Sequence, residues 1–247
     1  MLLSACIEEL SRQPWRGLLI VSAFGFANVT LLGSNSLLLP LCGGSWGRVI
    51  ASVGPIDTLE LAFNTYPLSA TAIEWATMLV AMMPLVLAQP IIHVRRSVRR
   101  ARRARSVGGF VLGYGSVWML AGPLVVSLSV LAGGLLGEAV APLTLFALAL
   151  IWSASPWHHA MLNRAHQVPR LATFGLRADV DAMHYGLLHG GWCIGTCWVW
   201  MLVPMVAGSY HAIVMVLVAV VMVAERADPR TQLRWRVPIA VRMWRYA

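Results

Sequence analysis

The apolar residues of this chain come in long blocks, and its charges sit between them. A block of 18 or more largely apolar residues is long enough, as a helix, to cross the hydrocarbon of a bilayer. Six segments of about that length are predicted: 15–34, 70–93, 107–132, 138–154, 182–206 and 209–224. Pro84 and Pro90 should kink the second or mark its end, because proline removes a helical donor and clashes with the preceding turn. Residues 1–14 form a mixed head suited to the membrane surface. Residues 35–69 are rich in Gly, Ser and Pro and read as interfacial rather than spanning.

The connections orient the bundle. Residues 95–105 read RRSVRRARRAR and hold seven arginines: Arg95, Arg96, Arg99, Arg100, Arg102, Arg103 and Arg105. The 155–181 stretch holds three more, and the tail beyond Glu225 another six. Cytoplasmic loops are enriched in basic residues. Placing all three stretches on one side requires six spans with both termini inside. The expectation is therefore an all-α, polytopic helix bundle, one integral domain over 1–247, in a bacterial inner membrane. His158, His159 and His166 then fall in a cytoplasmic loop, where solvated histidines are the default.

Composition supports this. The hydrophobic fraction is 58% and the charged fraction 12%, against about 25% charged in soluble domains. A net charge of +9 could signal nucleic acid, but topology accounts for it, so no nucleic-acid partner is expected. The arginine run also suits anionic lipid headgroups. Cys6, Cys42, Cys193 and Cys197 do not form a secreted disulfide pattern, since two lie deep in an apolar segment.

Candidate chemistry concentrates in the fifth segment. His189, Cys193, Cys197 and Met201 recur every four residues, which stacks them along one helical stripe. Imidazole, thiolate and thioether form a soft set suited to Cu(I), with zinc second. The competing reading is packing, with cysteine as a small apolar filler and Gly186, Gly190, Gly191 and Gly195 admitting close neighbours. Residues at i, i+4 and i+8 spread over roughly 12 Å of rise, so a second helix must complete any site. Glu74, Met78 and Met82, with Met83 beside them, offer one partner. His211 and Met215, just past the turn at Gly208, offer another. An ionisable group such as Glu74 inside hydrocarbon usually has a job or a partner. No phosphate loop, dinucleotide fingerprint, HExxH or serine-nucleophile motif appears, and no catalytic residue is assigned.

Three motifs resemble a known family in the right order. EWATMLVAMMPLVLAQP carries Trp75, Met78, Ala81, Met82, Met83, Pro84 and Pro90. FVLGYGSVW spans 110–118. GLLHGGWCIGTCWVWM carries Gly186, His189, Gly190, Cys193, Gly195, Cys197, Trp198 and Met201. Together they are similar to the DUF2182 family of predicted metal-binding integral membrane proteins, often labelled copper chaperones, over about 70–226. The chain departs from that pattern in the 155–166 loop, which lacks cysteine, at Thr196 in place of a doubled cysteine, and after the turn, where GSYHAIVM keeps Gly208 and Met215 and adds His211.

The expected function is a membrane protein that binds or delivers a soft metal, copper before zinc, to a membrane enzyme, without catalysis of its own. The alternative is an accessory subunit of a larger membrane complex with no metal. Eleven tryptophans and the glycine-rich faces suit that second reading. Both imply contact with other membrane subunits.

Overall fold

The computed structural model describes residues 15–32, 68–228 and 232–244, together with the single residues 57, 60 and 64. The head, most of the 35–69 connection, Cys6 and Cys42 lie outside the described residues. The described chain is helical: α1 (Trp15–Leu32), α2 (Leu68–Met82), α3 (Ala88–Ser97), α4 (Arg103–Ala154), α5 (Pro156–Ala165), α6 (Gly175–Met205), α7 (His211–Ala227) and α8 (Ile239–Trp244), with single 3₁₀ turns at Arg100–Arg102 and Gly208–Tyr210.

The breaks follow from local chemistry. Pro84 lies in the turn at 83–87 that separates α2 from α3, while Pro90 is tolerated in the first turn of α3. Gly137 adopts φ 76°, ψ 166° inside the long α4 run, a backbone state that costs little only without a Cβ. It separates 103–136 from 138–154. Ser155 caps α5: its hydroxyl accepts the His158 backbone N–H at 3.2 Å, with Pro156 at the first helical position.

Contacts fix the relative directions. Along the first arm of α4, Phe110 meets Gly186, Val117 meets Gly190 and Gly133 meets Val206, so this arm runs parallel to α6. Along the second arm, Phe146 meets Trp200 and Trp152 donates to the Gly195 carbonyl, so the chain has reversed at Gly137. Trp75 donates to the Trp118 carbonyl at 2.9 Å and Met83 meets Tyr114, which sets α2 against α4. Ser22 donates to the Ala81 carbonyl, and Gly25 meets Ala81. His211 lies at Pro204 and Arg226 at Thr196, so α7 returns along α6. From α2 to α7 the segments thus alternate in direction, and the arginine-rich 95–105 run lies at the start of α6.

Among the described residues three stretches are long and apolar enough to cross a membrane: Arg100–Gly137, Gly175–Met205 and Gly208–Ala227. The pair Ala139–Ala154 and Pro156–Ala165, bent by 68°, counts as a fourth if taken as one broken span. The helical-bundle class therefore stands, with three or four candidate spans among the described residues where six were expected. The turn at 83–87 cuts the second segment to a 15-residue helix, and Ser155 bends the fourth. Two sequence boundaries also move. The last loop before the fifth segment is shorter than expected, since α6 starts at Gly175 rather than near 182. The 156–165 stretch is a helix rather than loop. His158 is 1% exposed, so the solvated-loop expectation for the paired histidines is corrected: Ser155 and Pro156 start a helix whose buried face carries both.

At the arginine-rich end, Asp179 ties α4 to α6. It accepts from Arg102 at 2.9 Å and Ser106 at 2.8 Å and pairs with Arg105 at 3.0 Å. Arg99 lies over the Phe174 ring. The arginine run is thus part of the tertiary structure as well as a charge patch.

Candidate metal centre

The centre of the bundle holds sulfur. Cys193 and Cys197, one turn apart on α6, are both buried, with Sγ atoms 3.7 Å apart. Two sulfurs on one ion at about 2.3 Å each, at a tetrahedral angle, stand roughly 3.8 Å apart. Tyr114 of α4 places its hydroxyl 3.1 Å from Cys193 Sγ and donates to Met83 Sδ at 3.2 Å. Met83 stands in the turn after α2, so the proline that breaks the helix also presents the thioether. Thr196 donates to the Cys193 carbonyl at 2.9 Å, and its hydroxyl lies 3.3 Å from Cys197 Sγ. Arg226, from the end of α7, donates to the same hydroxyl at 3.0 Å. Three helices and the 83–87 turn therefore supply two thiols, a thioether, two hydroxyls and a guanidinium.

Below this cluster His189 sits among Phe110, Tyr114 and Tyr185, with ring centroids 5.7–6.2 Å away. Its Nε2 is sealed from solvent without a hydrogen-bond partner. Met83 and Tyr114 also line an apolar groove of about 510 Å³ between α1, α2, α3 and α4, which runs past Leu87 and Ile91 to Arg95. The sulfur cluster thus adjoins a lateral opening that leads toward the arginine-rich end.

The residues named from the sequence separate on this scaffold. Cys193 and Cys197 come together. Met201 and Met215 are fully buried in the core. His211 is held at the Gly208 turn, its Nδ1 2.7 Å from the Pro204 carbonyl, about 10 Å of helix rise from Cys197. Met78 and Met82 are buried core residues, and Glu74 is half-buried. Met83, which falls outside the four-residue spacing of Glu74, Met78 and Met82, is linked to Cys193 through the Tyr114 hydroxyl. Among the described residues no three of His, Cys, Asp and Glu converge as a metal-holding group. Any ion here must rely on sulfur from methionine as well. Sequence reasoning gave Tyr114, Thr196 and Arg226 no role at the site. Their only signals are an aromatic in a glycine-rich span, a polar residue between the cysteines and a cation one residue past Glu225.

A second buried polar group lies where α5 meets α6 and α7. Trp200 donates to Ser153 at 2.8 Å and to Glu225 at 3.3 Å. Glu225 Oε2 lies 3.3 Å from His158 Nε2, within ion-pair range though out of line for a hydrogen bond. His159 packs edge-on against His158 at 5.6 Å.

The model of one protein family matches residues 72–247; that family is PpoB2, described as a copper chaperone. The chain belongs to the PpoB2 family. This corrects the resemblance drawn from the motifs, which pointed to DUF2182. The matched stretch contains every residue of the sulfur cluster. No curated protein and no solved structure matches the chain. The donor chemistry fits the copper named by the PpoB2 description, since two thiols and a thioether prefer a soft ion.

Proposed function

We propose that this PpoB2-family protein binds Cu(I) as cargo between Cys193 and Cys197, with Met83 as third sulfur, and hands it to a membrane-bound acceptor. The observation that supports it is the 3.7 Å pair of buried thiols beside a buried thioether. A bare thiol pair could be packing alone. Here the phenol of Tyr114 links Cys193 to Met83, which orients both sulfurs toward one polar point. Tyr114 then swings off the sulfurs as the ion enters, and both thiols lose their protons. His189, one turn away with a sealed, unpartnered nitrogen, is the next donor on the path toward the arginine-rich end. Six crossings with that end in the cytoplasm would place the cysteines near mid-bilayer. Delivery to an enzyme of the inner membrane follows from this placement, and no reaction is catalysed.

The test is copper stoichiometry of the purified full-length protein, loaded anaerobically with Cu(I) against a colorimetric chelator. Variants Cys6→Ser and Cys42→Ser should keep one ion per chain. Cys193→Ser and Cys197→Ser should lose it, and Met83→Leu should bind at least tenfold more weakly. Full stoichiometry in both α6 cysteine variants would overturn the reading and favour a metal-free accessory subunit.

A further inference from the structure

The sulfur cluster carries a cation of its own. Arg226 is half-buried as a residue, yet its Nη1 is sealed from solvent and has no hydrogen-bond partner. Its Nη2 donates to Thr196, whose hydroxyl touches Cys197 Sγ. Among the described residues no carboxylate pairs with it. The two nearest in sequence are engaged elsewhere: Glu225 turns to Trp200 and His158, and Asp228 binds Arg242. A guanidinium keeps its charge in any protein, and an uncompensated charge in the interior of a bundle is costly. Its missing partner must come from the site it faces.

Resting on the Cu(I) reading above, we infer that Arg226 selects the charge of the cargo: it makes the site one for a monovalent soft ion and disfavours a divalent one. Two thiolates with Cu(I) carry one net negative charge, which the guanidinium cancels. Two thiolates with Zn(II) are neutral, and the guanidinium stays buried and uncompensated. Sulfur donors alone do not separate these ions, because thiolates bind both. The charge balance does. Thr196 is the positioning residue, since its hydroxyl ties the guanidinium to the Cys197 side of the site.

The experiment measures Cu(I) and Zn(II) affinities of the full-length protein in detergent, each by competition with a chelator, for the parent, Arg226→Gln, Arg226→Lys and Thr196→Val. Arg226→Gln keeps a donor to Thr196 without the charge. It should narrow the Cu(I)-over-Zn(II) preference at least tenfold, by weaker Cu(I) and tighter Zn(II) binding. Arg226→Lys should hold the preference within about threefold. Thr196→Val keeps the charge but frees the guanidinium, and should fall in between. If Arg226→Gln does not fold, the comparison of parent, Arg226→Lys and Thr196→Val decides, and an unchanged preference in Thr196→Val counts against the inference. An unchanged preference in a folded Arg226→Gln overturns it while leaving the copper site intact. Absence of Cu(I) binding in the parent instead sinks the functional reading itself.

Discussion

Replacing Gly186 by alanine tests how closely α4 and α6 must approach. A Cβ on residue 186 would collide with the Phe110 carbonyl and press on the Tyr114 amide at 3.0 Å. Both are backbone atoms, so no rotamer change relieves the contact and the helices must move apart. Alanine gains about 1 kcal/mol of helix propensity over glycine, and overpacking costs typically 1–3 kcal/mol. Because the obstruction is backbone, the upper end of that range applies, and Gly186→Ala should lose about 2 kcal/mol net. Gly191, five residues on, has nothing within 4 Å of the place a Cβ would take; Gly191→Ala should be neutral or gain up to about 1 kcal/mol. A thiol-reactive fluorophore provides the assay, since Cys193 and Cys197 are buried and label only on opening. In a Cys6→Ser, Cys42→Ser background, Gly186→Ala should label at a clearly lower temperature than its parent, and Gly191→Ala should not. Equal midpoints for parent and Gly186→Ala, or an equal drop in Gly191→Ala, would refute the close-approach argument.

The same assay reads the buried polar group. Glu225→Ala removes the buried acceptor of Trp200 and leaves unmet space beside His158, and should cost about 1–3 kcal/mol; Glu225→Gln, which keeps an acceptor for Trp200, should cost less. If Glu225→Ala melts with the parent, the pair is not structural. Asp179→Asn should cost only about 1 kcal/mol, because Arg102 and Arg105 are 37% and 66% exposed and exposed ion pairs contribute little. Its deficit should shrink in 1 M salt, where the screening length is about 3 Å. A deficit independent of salt would mean that the Ser106 hydrogen bond, rather than the arginines, carries the effect.

Much of the architecture was legible because it is written in one dimension. Apolar length marks the helices, and Pro84 and Gly208 mark breaks through backbone chemistry that needs no neighbours. The His189–Cys193–Cys197 stripe was visible for the same reason, as four-residue spacing on a single helix. Boundaries were less legible: the polar 156–165 and 175–181 stretches are helical because tertiary contacts bury His158 and Ala178 and engage Asp179, whereas their hydropathy alone reads as loop.

What the sequence by itself determined, then, is a helical bundle of membrane-like apolarity, with its basic residues gathered between the apolar segments and its thiols paired on one helix. The tertiary structure decided which residues share the site. Met83 rather than Met78 or Met82 is linked to the thiols, because its sulfur meets the Tyr114 hydroxyl that also touches Cys193. His211 stays at the Gly208 turn, held by the Pro204 carbonyl. Arg226 arrives from the far end of α7, thirty residues from Thr196. Which of two neighbouring glycines is obligatory, Gly186 or Gly191, depends on which face of α6 meets α4. Spacing along one helix cannot encode such relations, because they are set by how far each helix slides and turns against its neighbours.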